Sequence, residues 1–198
     1  MRRIAVYVGV LVAILVVADA GLRILAENRA ADQIETSLEL GEVDVSLGGW
    51  PFIVQLFRGQ FPSVTVSAQS VGTGELKLSE VELELRHVRV FLLSDNRSVR
   101  ARSGSGTAVI SAEALNSALE RAGVAAEVEM SGDGVDVVAN GSKITARPSI
   151  EGGDLVVGPS VILGLPEFAA GIDYRSVRVV ESLMVVSFDL TAGELTLP

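Results

Sequence analysis

The 198-residue chain contains no cysteine, a single histidine and a single tryptophan. Without cysteine it cannot form disulfides, thiol nucleophiles or the common zinc sites, and its redox compartment cannot be judged from cysteine usage. Positive charge is also scarce, since 16 Lys and Arg stand against 25 Asp and Glu, which gives a net charge of −9. Because nucleic-acid binding needs a basic surface that neutralises phosphates, we expect no nucleic acid as a partner.

Recognisable catalytic motifs are missing as well. His87 is the sole histidine, so a serine–histidine relay would have to be built around it. The sequence has no Gly-x-Ser-x-Gly, no glycine-rich phosphate loop followed by Lys-Ser or Lys-Thr, and no His-Glu zinc motif. Carboxylates are abundant, but no spacing singles out a catalytic pair. We therefore expect a protein that is not an enzyme and that uses no cofactor and no metal.

The N-terminus has the layout of an export signal. Two arginines precede an apolar run over residues 4–18, and a small-x-small triplet centred on Asp19 follows. This layout fits a signal peptide that is cleaved after Ala20, but the apolar character that continues beyond it also fits an uncleaved transmembrane helix. We divide the chain into a signal peptide or membrane anchor, residues 1–20, and one domain, residues 21–198. Both alternatives predict a secreted or membrane-anchored domain at the outer face of the plasma membrane, in the cell envelope.

Hydrophobic periodicity predicts an α+β domain. Apolar side chains recur at helical spacing over residues 20–40, which predicts a long amphipathic helix that stops at Gly41. Beyond it the period is mostly two, which predicts a large curved antiparallel sheet packed on this helix. The alternation changes phase near Arg86 and His87, where we expect a bulge or a bend. One further short helix is predicted within Ser111–Gly123, with the serine as its N-cap.

Most of the aromatic surface falls within a dozen residues. Trp50, Phe52, Phe57 and Phe61 lie in a segment that prolines and glycines interrupt. Each large aromatic side chain gains about 1.5–3 kcal/mol when it is buried. These side chains are therefore expected to lie in a core, to line an apolar cavity or to contact a bilayer.

The same segment resembles a known protein family. Gly49, Pro51, Phe52, Gln55 and Gly59 fill the pattern Gly-x-Pro-Phe-x-x-Gln-x-x-x-Gly, preceded by a long helix and followed by a strand. This arrangement is similar to that of the LmeA-like phospholipid-binding family of actinobacteria, and the resemblance extends more weakly over almost the whole exported part. It implies a tubular lipid-binding-like domain, with a sheet curled around the helix and an apolar interior that admits acyl chains. It also implies phospholipid and membrane as partners.

The candidate site follows from that resemblance and from the scarce basic residues. The candidate lipid-binding residues are Trp50, Phe52, Ile53, Leu56, Phe57 and Phe61. The arginines of one short stretch are Arg86, Arg89, Arg97, Arg100 and Arg102. Because the planar guanidinium group can donate two hydrogen bonds to a phosphate, Arg86 and Arg89 are candidates for binding the headgroup. The alternative for this stretch is a solvated strand face.

Two functions remain open at this point. One is non-catalytic binding, and by extension carriage, of envelope phospholipids, with their acyl chains in an apolar cavity between sheet and helix. The other is a structural or protein-interaction module of the envelope with the same fold and no ligand, whose protein partners the sequence does not identify. A carrier needs more interior space than ordinary packing leaves, whereas a scaffold is filled to normal density.

Overall fold

The computed structural model describes residues 2–38, 42–71, 76–91, 98–139, 141–158, 161–166 and 171–196. The helices in these ranges are α1 (Arg2–Leu38), α2 (Phe52–Arg58) and α3 (Ala112–Arg121). The strands are β1 (Val43–Leu47), β2 (Gln60–Val71), β3 (Leu78–Phe91), β4 (Ser98–Ile110), β5 (Ala126–Ser131), β6 (Gly134–Ala139), β7 (Ser142–Ala146), β8 (Pro148–Glu151), β9 (Asp154–Val157), β10 (Val161–Gly164), β11 (Ile172–Val180) and β12 (Leu183–Thr196). The predicted α+β class is confirmed, and α2 is a helix that the periodicity did not reveal.

The largest sheet has six strands in the order β1-β2-β3-β4-β12-β11, and every neighbouring pair is antiparallel. Two smaller sheets, β5-β6-β7 and β10-β9-β8, have three antiparallel strands each, and none of the three sheets is closed. Helix α3 packs against β5, while β11 contacts both β6 and β8. The small sheets and α3 are thereby joined to the large sheet around one apolar core.

The spacing of buried residues changes partway along β2 and β3 of the large sheet. Buried residues alternate with less buried ones along β1 and along residues 183–190 of β12, but Phe61 and Val64 in β2 and Leu85 and Val88 in β3 are buried at a spacing of three residues. His87, between the last two, has φ +52°, while the β2–β3 and β3–β4 registers continue without a shift on both sides of it. The irregularity predicted near residues 86 and 87 is present, but without the extra residue of a bulge. At this end of β2, β3 and β4 the residues on the outer face of the sheet are 60, 62, 87, 89, 100 and 102, and all of them are exposed.

Helix α1 covers the outer edge of β1. The Leu47 N–H donates to Glu27 Oε1 at 2.7 Å, and the Val43 N–H donates to Glu35 Oε1 at 2.8 Å. Eight helical residues span about 12 Å and four strand residues about 13 Å, so the two carboxylates match the two outward N–H groups in register. Ile34 and several alanines of the helix pack on the core. The edge of the sheet is therefore not left open to pairing with another chain.

The second predicted helix is present as α3. The Ser111 Oγ accepts a hydrogen bond from the Ala114 N–H at 3.2 Å, as an N-cap should, and Leu115 and Leu119 are buried. Gly123 follows the helix with φ +70°. Gly41, the predicted stop of the N-terminal helix, lies outside the described residues.

The N-terminal helix runs without interruption across the domain boundary predicted after residue 20. Within the residues whose side chains the structure describes, no helix is long and apolar enough to cross a membrane. The transmembrane alternative is therefore not found in that part of the chain. Export and location in the cell envelope stay predictions.

Candidate functional site

The glycine–proline–glutamine pattern folds into a single corner between β1 and β2. Gly49 has φ +106°, and a Cβ added there would collide with the Gln55 side chain. With its amide oriented to fit both partners, Gln55 accepts from the Trp50 N–H at 2.9 Å and donates to the Gly48 carbonyl at 2.8 Å. The Trp50–Pro51 peptide bond inside this corner is cis. Glycine and glutamine are thus needed together, because the glutamine amide occupies the space that a larger residue at position 49 would fill.

Helix α2 begins with a cap that comes from α1. Pro51 stands at the N-cap position and makes no side-chain hydrogen bond there. Instead, Asp19 accepts from the Phe52 N–H at 2.9 Å and from the Ile53 N–H at 2.7 Å, and its side chain is buried. These bonds satisfy two of the N–H groups that every helix leaves unpaired at its start. Asp19 therefore fixes the start of α2 against α1.

Gly59 ends α2 and joins it to the large sheet. Its φ of +58° is the left-handed C-cap conformation, and a Cβ there would lie 2.5 Å from the Val90 carbonyl oxygen. The Val90 N–H donates to the Gly59 carbonyl at 2.8 Å. The C-terminus of α2 is thereby held at the end of β3, directly beside the outward residues of β2 and β3.

The predicted lipid-binding side chains divide between the core and the surface. Phe52 and Phe61 are buried, with ring centroids 5.9 Å apart, and Leu56 is half-buried against the core. Trp50 and Phe57 are 73% and 87% exposed. The other exposed apolar residues of α2 are Ile53 and Val54. The corner thus buries one side of α2 and presents large apolar side chains on the other.

An open groove of about 460 Å³, called here the arginine groove, lies on the outer face of β2, β3 and β4, next to the end of α2. Its lining residues include Gln60, Phe61, His87, Arg89, Arg100 and Arg102. Arg89 and Arg100 stand directly opposite each other in the β3–β4 register, and Gln60 stands opposite Arg89 in the β2–β3 register. Like charges in directly opposed positions repel, and Arg100 also stands opposite Glu194 in the β4–β12 register.

The structure separates the two arginines that the sequence suggested for a headgroup. Arg89 lines the groove, whereas Arg86 lies outside it and pairs with Glu84 at 3.2 Å, with both side chains largely exposed. Arg97 lies outside the described residues. Arg100 and Arg102 belong to the arginine stretch recognised in the sequence but were not assigned to the headgroup, and His87 was not assigned to the site. These three residues are brought together by the register of β3 and β4.

The groove differs from the apolar cavity that the family resemblance implies. It is open and carries arginines, while Phe61 connects its floor to the buried ring of Phe52. In the described part of the chain no three His, Asp or Glu side chains form a group that could hold a metal ion. The arrangement is therefore suited to hold an anionic group beside an apolar surface.

Comparison with known proteins gave one match. The family model described as LmeA-like phospholipid-binding matches residues 17–197, which is nearly the whole chain. No curated protein and no solved structure matches the chain.

Proposed function

Since the chain belongs to the LmeA-like phospholipid-binding family, we propose that it binds phospholipid non-covalently in the cell envelope, with the headgroup in the arginine groove beside α2. The observation that carries this proposal is that a groove lined by arginines lies next to a helix with exposed apolar side chains. The groove of Arg89 and Arg100 begins at Gln60, two residues after the helix that exposes Phe57. A phospholipid has the same two parts, an anionic phosphate and apolar chains.

The headgroup part of the proposal depends on charge. Two or three guanidinium groups within one groove can donate several hydrogen bonds to a single phosphate, and such charge-assisted bonds are stronger than neutral ones. The volume of about 460 Å³ lies within the range of small-ligand sites. Because the whole chain carries a net charge of −9, the clustering of arginines at this place is a local feature that favours an anion here.

The acyl-chain part depends on Phe61. This residue lines the groove and also packs against Phe52, so the groove floor is the boundary of the apolar core on this side. We propose that the acyl chains are held on the inner side of the large sheet, between it and the helices α1 and α2. Each methylene group buried there would contribute about 0.8 kcal/mol.

The protein acts by binding, and carriage of lipid within the envelope is an extension of that role. The family description names binding alone, and the N-terminal residues 1–20 have the pattern of an export signal or anchor. These two observations support a non-catalytic protein outside the cytoplasm.

Titration with a short-chain phosphatidylglycerol tests the groove. The chemical shifts of the full chain in a neutral detergent would be followed by NMR, for the native chain and for the double variant Arg89→Ser/Arg100→Ser. Losing two partly exposed phosphate contacts of about 1 kcal/mol each should weaken binding roughly thirtyfold. Shift changes should centre on the outward residues of β2–β4.

Arg178→Ser is the matched control, because Arg178 is another exposed arginine of the same sheet, on β11. It should bind phosphatidylglycerol like the native chain. Equal affinity of the double variant and this control would refute the headgroup assignment. Shift changes that appear only far from β2–β4 would refute it as well.

A further inference from the structure

The exposed apolar residues of α2 continue onto α1. Trp50, Ile53, Val54 and Phe57 are exposed on the corner, and α1 contacts α2. Among the exposed large apolar residues of α1, Leu15 and Leu22 lie on the helix face that carries Asp19, because they are four residues before it and three residues after it. Contiguous exposed apolar side chains mark interaction sites, so the surface made by Leu15, Leu22 and the corner needs a partner. It is named here the α1–α2 apolar surface.

Asp19 joins the α1 and α2 parts of this surface through hydrogen bonds. It lies among the exposed apolar residues of α1, yet its carboxylate is turned inward and bonded to the first two N–H groups of α2. A charge that would oppose contact with lipid is thereby removed from the surface. The same bonds set the direction of α2, so that the side chains of Trp50 and Phe57 point away from the core.

We infer that the α1–α2 apolar surface docks on the interface of a phospholipid bilayer, with Trp50 and Phe57 in the headgroup region. The first argument for this occupant is continuity. Towards the N-terminus, α1 continues into the apolar run of residues 4–14, which has the pattern of a membrane-targeting segment. The surface thus follows directly on a segment whose sequence has the pattern of a membrane-targeting segment.

The second argument is charge. Arg58 lies in the last turn of α2, and the arginine groove follows directly after Gly59. Tryptophan and phenylalanine beside arginine form the residue set that favours the membrane interface, where the ring is buried and the guanidinium reaches phosphate. A groove at this level would face the headgroups of the same leaflet. The inference therefore deepens the proposed function and rests on it for the identity of the lipid.

Trp50 is the sole tryptophan of the chain, so its fluorescence reports on this surface alone. The full chain would be reconstituted into vesicles of phosphatidylglycerol and phosphatidylcholine in which the phosphatidylcholine carries bromine atoms either near the headgroup or near the chain ends. We expect a blue-shifted emission and stronger quenching by the shallow bromines than by the deep ones. Emission typical of water with no quenching by either lipid would overturn the inference.

Two variants separate a specific contact from general proximity. Phe57→Ser removes the most exposed ring of the corner and should lower shallow quenching to about half. Ile162→Ser changes a side chain that is 65% exposed on β10 and should leave quenching unchanged. Equal quenching in both variants would overturn the docking of α2. A blue shift that depends on protein concentration without lipid quenching would also overturn it, because a second copy would then cover the surface.

The double variant Arg89→Ser/Arg100→Ser distinguishes this inference from the proposed function. Quenching of Trp50 that persists in this variant, together with unchanged phosphatidylglycerol affinity, would support docking and refute the headgroup site. Loss of affinity without any quenching in the native chain would refute docking and leave the headgroup site intact.

Discussion

Replacing Asp19 by alanine tests whether α1 and α2 form one structural unit. The variant loses two hydrogen bonds to backbone N–H groups, and bonds that involve a charged partner contribute about 1.5 kcal/mol or more each. Alanine is the better helix former and returns about 0.5 kcal/mol to α1. The corner should therefore lose roughly 2.5 kcal/mol of stability.

Urea unfolding of the full chain in a mild detergent measures this loss. Trp50 fluorescence follows the corner, and far-ultraviolet circular dichroism follows the whole fold. With a slope of about 1–3 kcal/mol per molar urea, the fluorescence midpoint should fall by about 1 M. Asn28→Ala is the control, since Asn28 is exposed on the same helix and its replacement brings a similar gain in helix propensity.

Equal midpoints for Asp19→Ala and Asn28→Ala would refute the role of the cap. The result also bears on processing of the N-terminus. Cleavage after Ala20 would remove Asp19, so a mature chain that begins at residue 21 should show the same loss as the alanine variant. If the cap stabilises the corner as calculated, the folded domain needs residues that the sequence pattern assigns to the signal segment.

Three further predictions concern the edge, the corner and a buried carboxyl group. Glu27→Ala leaves the Leu47 N–H at the end of β1 without its acceptor, so the free energy of unfolding should fall by about 1–3 kcal/mol. Hydrogen exchange of the Leu47 amide should also become faster, and unchanged exchange by NMR would contradict this. Gly59→Ala should destabilise the chain by about 1–3 kcal/mol more than Gly141→Ala in thermal unfolding, because both positions have positive φ but an added Cβ meets the backbone of β3 only at Gly59. The hydrogen bond from Thr145 and a nearby lysine hold the pKa of Asp136 below its ordinary value of 3.8. The ionised Asp136 carboxylate therefore stabilises the fold fully above about pH 4, and this stabilisation is lost as the pH falls through the folded-state pKa. The difference in unfolding free energy between the native chain and Asp136→Asn should therefore close on acidification. A difference that widens towards low pH would contradict this.

Local patterns predicted much of the fold. The alternation of apolar residues predicted the strands of the large sheet, and the change of phase predicted the backbone irregularity at His87, because side chains on a strand point alternately to its two faces. The helix at Ser111 was predicted from its cap and its apolar spacing. These features depend on neighbours in the chain, which is why one sequence contains enough information for them.

Helix α2 could not be predicted in the same way. It has only seven residues, begins after a proline and contains Phe52, Ile53 and Val54, residue types that are common in strands. Its start is capped by Asp19, 33 residues earlier, and its corner depends on the amide of Gln55. The sequence pattern assigned Asp19 to a cleavage triplet, since nothing local shows that its carboxylate is used in the fold.

The site was predicted in part for the same reason. The aromatic segment was recognised from composition, but composition cannot tell that Phe52 turns inward and Phe57 outward. The arginine stretch was recognised as well, yet the pairing of Arg89 with Arg100 requires the register of β3 and β4, which the sequence pattern does not fix. Arg86, three residues before Arg89, lies outside the groove, on the other side of the backbone irregularity at His87.

Native mass spectrometry of the full chain tests the central claim, phospholipid binding, most directly. The chain would be produced in a bacterium with ordinary phospholipids, purified in a mild detergent and released from the micelle in the instrument, with the bound lipid identified by extraction. We predict one phospholipid per chain at a stoichiometric level in the native chain and in Arg178→Ser, and a large decrease in Arg89→Ser/Arg100→Ser. A chain that retains no phospholipid, and that takes up none when vesicles are offered, would contradict the claim and favour an interaction module without a ligand.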